Sequence, residues 1–452
     1  MTRRISGVGV AATAILVATP GKAWAHGIGG RLDLPVPLEY FVVGAAMVLV
    51  LSFVALAILW PRPRLQDGPR FAVNRMAGPV FAVVAAIGVL GLLLVIGQLV
   101  VPLFGVETVP ARPGIAPVTV WVLFWLIVPF AAAVVGDWYT DLNPWRSLAE
   151  GLRIGAGERL SLLETHGVWP AAGALLVFTW LELVLPTSGS PTTLGAAALV
   201  YTILLVLVMT YAGRETGLAV FDAFTPFNRL ISSIAPWGRD GEGRISWRGW
   251  LRSLPVVPEW PGLWAFVVLM IGTVSYDGAS GTEWFATLAG PLQDDMAGQS
   301  VLLVGCVAII GAGYWLASMA AARLGEGGWT PQQVMQRFAH TLVPIALAYA
   351  VAHYATLVIF EGQQIIAAAS DPFAVGWDLF GTADRKVDFF ITATEPIWYF
   401  QVTSIVGGHL LGVVLAHDRA LADFGAGAVR SQYAMLLMMV ALTTLGLLIL
   451  AG

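Results

Sequence analysis

The sequence is poor in charged residues and contains a single cysteine. Charged side chains make up 12% of the 452 residues, apolar ones 58%, and the mean hydropathy is +0.78. Soluble globular chains carry about 25% charged residues, so this composition indicates a membrane protein. The formal net charge is only −4, and the charges lie in short loops between apolar runs. This pattern argues against a nucleic-acid-binding surface.

The lone cysteine, Cys306, lies in the apolar run "VLLVGCVAIIGAGYW". One cysteine excludes an internal disulfide, a CxxC redox pair and a CxxCH haem attachment site. We expect Cys306 to pack as a small apolar side chain.

The first 25 residues have the features of a secretory signal peptide. Arg3 and Arg4 precede an apolar stretch, "GVGVAATAILVA", which is followed by "TPG" and by small residues before His26. The apolar stretch is shorter than the roughly 20 residues that a spanning helix needs. We therefore predict a signal peptide over 1–25 and a mature chain over 26–452, the alternative being an uncleaved first transmembrane helix.

Apolar runs long enough to cross a bilayer predict an all-α polytopic membrane bundle of about ten helices within a single domain. The sixth run is short and polar at its end. The predicted spans are 40–60, 78–102, 115–136, 168–186, 193–212, 262–277, 299–322, 338–361, 393–417 and 431–451.

The basic residues predict an orientation, because Lys and Arg accumulate in cytoplasmic loops. With the mature N-terminus outside, 17 basic residues fall in inner loops and four in outer segments. This predicts a multi-pass membrane protein with both mature termini outside. The inner loop near 213–261 is rich in Arg, Trp and Pro, which favours an interfacial segment at the lipid headgroups or a docking surface for a partner subunit.

Ionisable groups inside membrane helices are costly and therefore functional candidates. Glu182, His353 and His409 stand out. From a rise of about 1.5 Å per residue, Glu182 and His353 lie about 21 to 23 Å from the inner boundary and His409 about 12 Å from it. A Glu182–His353 pair is therefore geometrically possible, while His409 would join it only through tilt or a broken helix. Tyr349 and His353 share one helical face.

A carboxylate and imidazoles could hold zinc or copper and lower the pKa of a bound water, which gives a nucleophile at neutral pH. Glu182, His353 and His409 are the candidate ligands. The alternatives are a hydrogen bond between helices without a metal, or a proton or substrate path. The spacing of Gly408 and Gly412 also favours close helix packing.

Two further residues are candidates near the membrane surface. Asp277, in "SYDGASGTEW", could act as a general base or a metal ligand, or could form an Asx turn leading into Gly278. His26, if it is the first mature residue, could chelate copper through its α-amine and imidazole. A copper site at His26 would be separate from the intramembrane histidines.

Several motifs together carry a family resemblance. They are "HGIGGRLDLPVPLEYF", "GDWYTDLNPWRSL", "IAPWGR", "SYDGASGTEWF", "AHYATLVIFEGQ" and "GHLLGVVLAHDRAL". Over essentially the whole mature chain, the sequence resembles the bacterial multi-spanning membrane proteins called fenitrothion hydrolases. The resemblance implies an inner-membrane hydrolase of organophosphorus triesters, acting alone or as one subunit of a pair. It brings no catalytic residues with it.

Three functions are therefore compatible with the sequence. In the first, water activated by Glu182 and His353, by Asp277, or by a bound metal hydrolyses an apolar small-molecule triester that enters from the bilayer. In the second, the same groups serve a proton-coupled transporter or a copper-handling protein. In the third, the chain is a non-catalytic subunit of a membrane complex.

Overall fold

The computed structural model describes residues 37–68, 79–109, 112, 114–157, 160–239 and 244–451. The chain is 73% helical, and nine helical segments within these ranges are long and apolar enough to cross a bilayer. The predicted all-α polytopic membrane bundle is therefore confirmed. The fourth predicted span, 168–186, forms a helix of only 15 residues, which reaches about 22 Å at 1.5 Å per residue. The predicted signal peptide and His26 lie outside the described residues.

The first part of the bundle is built from apolar helices with few internal polar groups. Where "DLNPW" predicted a cap, the Asn143 side chain accepts hydrogen bonds from the backbone N–H groups of Trp145 and Arg146, and Pro144 occupies the first helical position. In chain order the helices are α1 (Leu38–Leu59), α2 (Pro79–Gly97), α3 (Val100–Leu103), a π-helical segment (Val118–Ile127) that continues into α4 (Val128–Val135), α5 (Tyr139–Leu142), α6 (Pro144–Gly151), α7 (Leu160–His166), α8 (Trp169–Leu183) and α9 (Pro191–Ala212).

The inner loop predicted near 213–261 contains regular secondary structure. It holds α10 (Arg214–Val220), α11 (Phe224–Ser232) and an antiparallel pair of short strands, β1 (Trp237–Arg239) and β2 (Ile245–Trp247), with Trp237 opposite Trp247. Helix α11 is largely buried because its apolar side chains pack against α4 and its neighbours. Trp237 and Trp247 remain exposed, as expected for interfacial anchors.

Helix α12 is the central helix of the bundle, since 83% of its spanning window is buried inside the protein. It packs against α8, α14, α16 and α20. The helices of this second part are α12 (Leu263–Ser280), α13 (Glu283–Ala289), α14 (Met296–Leu324), α15 (Pro331–Phe338), α16 (Val343–Phe360), α17 (Gln364–Ser370), α18 (Thr394–Asp423), α19 (Ala428–Ser431) and α20 (Tyr433–Ala451), with 3₁₀ turns at Gly290–Gln293, Ala339–Leu342, Glu361–Gln363 and Gly425–Gly427.

Contacts between loops define the two ends of the bundle. At one end the Arg419 guanidinium donates to the Pro255 carbonyl at 2.5 Å, which joins the 213–261 loop to α18. At the other end Arg112 pairs at 2.8 Å with Asp371 and with Asp384. We call the first the basic end and the second the acidic end.

Candidate functional site

A hydrogen-bonded acid–imidazole pair lies in the interior of the bundle. The His353 Nε2 atom on α16 is 2.9 Å from the Asp277 Oδ2 atom on α12, and both side chains are less than 10% exposed. The helix α12 continues to Ser280, so Asp277 lies within the helix rather than in an Asx turn at its end. The predicted sixth span, 262–277, therefore ends three residues too early. The hydrogen-bond partner of His353 is therefore Asp277, whereas equal depth had suggested Glu182.

Gly278 allows α12 to approach its neighbours at this point. A Cβ atom at position 278 would lie 2.5 Å from Cγ2 of Ile449 on α20 and 3.3 Å from Nδ1 of His353. Contacts below 3.0 Å require a neighbour to move. The missing side chain therefore lets α20 and the imidazole pack directly on the turn that carries Asp277.

Glu182 and Tyr354 extend the pair into a four-residue group, which we call the acid–imidazole cluster (Glu182, Asp277, His353 and Tyr354). The Tyr354 side chain lies close to Asp277, and the Tyr354 ring contacts the imidazole edge-on at 4.7 Å between centroids. Glu182, one residue before the end of α8, lies close enough to Asp277 and Tyr354 to interact electrostatically. Three helices thus bring two carboxyl groups, an imidazole and a phenol together.

One carboxyl oxygen of the cluster is left without a partner. Glu182 Oε2 is buried and makes no hydrogen bond to any described residue, and the same holds for the indole Nε1 of Trp125. The two side chains lie side by side without reaching hydrogen-bond geometry. A buried polar atom without a partner costs about 1–3 kcal/mol, so Glu182 Oε2 is the atom of the cluster that is best placed to bind a ligand.

An apolar pocket adjoins the cluster at Tyr354. Both Tyr354 and Trp125, the neighbour of Glu182, line this pocket. Its volume is about 20 Å³, which accommodates about one water molecule. Pockets for drug-sized ligands measure roughly 300–1,000 Å³, so an aryl phosphotriester would enter only after the helices move apart. The other lining residues are Leu126, Pro129, Phe130, Leu175, Phe227, Ile231, Met270, Thr273, Val274, Ala346, Leu347 and Ala350.

His409 lies apart from the cluster, on α18. Its Nδ1 atom is 2.8 Å from the Ile405 carbonyl oxygen, and its buried Nε2 atom has no partner in the described ranges. The neighbouring glycines pack closely, as predicted: a Cβ atom at Gly408 would lie 2.2 Å from Cβ of Ala348, and one at Gly412 would lie 3.1 Å from the Thr341 carbonyl oxygen.

The sequence also predicted a metal site at Glu182, His353 and His409. Within the described part of the chain, no three His, Cys, Asp or Glu side chains are grouped so that they could hold a metal ion. A zinc or copper site at Glu182, His353 and His409 stays a prediction, as does copper binding at His26, and no step below passes through a metal.

Sequence reasoning missed two members of the site. Tyr354 and Trp125 were not singled out, because an aromatic residue in an apolar helix carries no local signal. The position of Tyr354 directly after His353 was the available clue, since adjacent helical residues point about 100° apart and can face two neighbouring helices.

No family model matches the chain, and no match to it is found among curated proteins or among solved structures.

Proposed function

We propose that the chain is a membrane-embedded hydrolase of apolar esters, with organophosphorus triesters as the substrate class that its family resemblance suggests. The observation that carries the proposal is the unpartnered Glu182 oxygen near the Asp277–His353 pair, in a cluster whose Tyr354 lines an apolar pocket. An apolar pocket with a few converging polar groups is the usual form of a small-molecule site.

In the proposed reaction Glu182 is the general base. Its free oxygen takes a proton from a water molecule, the water oxygen attacks phosphorus, and the bond from phosphorus to the aryl oxygen breaks, so that the aryloxide leaves with the electron pair. Asp277 and His353 are positioning residues: their hydrogen bond joins α12 to α16 beside the base, and Tyr354 packs against the imidazole. A positioned general base typically contributes 10²–10⁴-fold to a rate.

The test is release of nitrophenolate from an aryl dialkyl phosphate by the purified chain in lipid nanodiscs. We expect Glu182→Gln to lower kcat by about 100-fold or more, because the amide accepts no proton. Glu164→Gln, which changes an exposed carboxylate on α7, is the matched control and should leave kcat unchanged. Equal rates for the two variants, or no release by the unaltered chain, would refute the proposal.

Proton-coupled transport is the second candidate, and the small pocket favours it. A volume of about 20 Å³ is too small for an aryl triester, whereas protons need only a chain of polar groups. Intramembrane carboxylates and histidines are what such carriers use. Proton uptake into liposomes, measured with a trapped pH-sensitive dye, separates the two: uptake that requires Glu182, without any ester hydrolysis, identifies a transporter.

We further propose that the protein lies in a bacterial inner membrane with its basic end in the cytoplasm, as the distribution of Lys and Arg favours. Single cysteines introduced by Glu164→Cys at the basic end and Asp294→Cys at the acidic end, in a Cys306→Ser background, test the orientation. An impermeant thiol reagent added outside should label only the Asp294→Cys protein. A second membrane subunit, which the resemblance also implies, would copurify in stoichiometric amount in mild detergent.

A further inference from the structure

A second small cavity lies away from the apolar pocket, between α12, α16, α18 and α20. Its volume is about 10 Å³. Three of its lining side chains are polar, Ser275, Tyr349 and His409, and each comes from a different helix. The rest of the lining is Ile271, Ile345, Ile405, Leu442, Leu445 and Gly446.

Two polar atoms that border this cavity are buried without a partner. The Tyr349 hydroxyl and the His409 Nε2 atom make no hydrogen bond to any residue that the structure describes, and the two side chains are 7% and 3% exposed. The Ser275 hydroxyl lies beside that of Tyr349. A buried water needs about 10–15 Å³ and two to four polar partners, so both the volume and the polar groups fit one water molecule.

The contacts of His409 fix the direction of hydrogen bonding. A carbonyl oxygen only accepts, so the 2.8 Å contact with Ile405 places the proton of the neutral imidazole on Nδ1. The Nε2 atom is then an acceptor that borders the cavity. Because the Tyr349 hydroxyl can donate, a water between them accepts from Tyr349 and donates to His409.

This cavity lies near the acid–imidazole cluster. Tyr349 precedes His353 by four residues on α16 and so lies on the same face, and it is close enough to Asp277 to interact electrostatically. Of the polar groups on the surrounding helices, the Gln401 amide of α18 donates to the Ala352 carbonyl at 2.8 Å, and the Cys306 thiol of α14 lies near Tyr349.

We propose that the cavity bounded by Ser275, Tyr349 and His409 is a water-binding site. The bound water accepts a hydrogen bond from the Tyr349 hydroxyl and donates one to His409 Nε2, so that it satisfies both buried polar atoms and joins α16 to α18. The water site does not rest on the proposed function of the cluster.

The water site is tested by X-ray radiolytic labelling of the intact chain in nanodiscs, in which a bound water generates hydroxyl radicals that modify adjacent side chains. Tyr314 is the matched control, because it is fully buried and its hydroxyl donates to the Met335 carbonyl at 2.7 Å. We expect Tyr349 to be modified and Tyr314 not to be. In His409→Leu, which fills the cavity, modification of Tyr349 should be lost. Equal labelling of the two tyrosines would overturn the water site.

The hydrogen bonds of the water are tested by solid-state NMR of the chain labelled with ¹⁵N-histidine, with His409 assigned through His409→Gln. We expect a protonated Nδ1 and an unprotonated Nε2, and in Tyr349→Phe a shift of the Nε2 resonance alone. A proton found on Nε2, or an Nε2 resonance that does not respond to Tyr349→Phe, would overturn the proposal. Neither experiment depends on catalysis. A chain without hydrolase activity would therefore refute the hydrolase proposal but not the water site.

Discussion

Replacing Gly278 with alanine is expected to disturb the packing that brings Asp277 and His353 together. The added Cβ atom would lie 2.5 Å from Cγ2 of Ile449 and 3.3 Å from Nδ1 of His353. Inserting a carbon into a packed interior costs about 1–3 kcal/mol, while alanine in place of glycine inside a helix gains roughly 0.5–1 kcal/mol. Gly278→Ala should therefore lower the free energy of unfolding by about 0–2.5 kcal/mol. Because this range includes no change, the single variant does not isolate the steric contact.

A matched control isolates the steric part of this effect. Gly305 and Gly313 lie within α14, and a Cβ atom at either would meet nothing within 4 Å. Gly305→Ala should show only the gain in helix propensity. The difference in free energy of unfolding between Gly278→Ala and Gly305→Ala is then about 1–3 kcal/mol, measured by reversible denaturation in mixed micelles.

The clash itself can be tested by a double-mutant cycle. Ile449→Ala removes the Cγ2 atom that the new methyl group would strike, so the double variant should be more stable than the two single changes predict. We expect a coupling energy of about 0.5–3 kcal/mol, together with partial recovery of ester hydrolysis as His353 returns to Asp277. Additive effects of Gly278→Ala and Ile449→Ala, or a Gly278→Ala protein as stable as Gly305→Ala, would refute the close approach of α12 and α20.

Three further predictions concern the loops that join the helices. The pKa of Asp371 is below its ordinary value, because burial, which raises it, is outweighed by hydrogen bonds from Arg112 and from the N–H groups of Val375 and Gly376. A carboxyl group whose pKa is lowered by folding stabilises the fold above its unfolded pKa, and this stabilisation is lost as the pH falls. Pepsin should therefore cut the 371–393 loop only below the ordinary pKa of an aspartate. The Asp371→Asn protein should be cut at higher pH. Asp418 accepts hydrogen bonds from Trp60, Arg64, Leu65 and Gln66, so Asp418→Ala should expose 60–68 to trypsin at Arg64, whereas Asp67→Ala should not. Asn143→Ala removes the cap of α6 and the hydrogen bonds from the Asn143 amide to Asp222 and Thr225, so it should lower the free energy of unfolding by at least the ~1 kcal/mol of a helix cap, while Asn143→Ser should retain the contribution of the cap.

The sequence was sufficient to predict the helices but not their rotation. Apolar runs of 16 to 25 residues have few alternatives to spanning helices, and all ten predicted runs are helical in the structure. Depth follows from residue count because the rise per residue is constant. Which side of each helix faces inward is a different matter, because an evenly apolar helix has no amphipathic stripe that would fix it.

The partner of His353 illustrates this difference. Equal depth suggested Glu182, and Glu182 does belong to the same cluster, but the hydrogen bond goes to Asp277. The sequence placed Asp277 near the membrane surface, as a candidate base or metal ligand or as part of an Asx turn, because it lies at the end of the predicted sixth span. In the structure Gly278 continues the helix, and its missing side chain gives His353 and Ile449 room against α12. A glycine beside a carboxylate can thus mark a tight helix crossing as well as a turn, and only the positions of α16 and α20 distinguish the two. An ionisable residue next to a small residue at the end of a predicted span should therefore be considered a candidate for the interior of the bundle. Close helix packing at the small residue brings such groups within hydrogen-bonding distance.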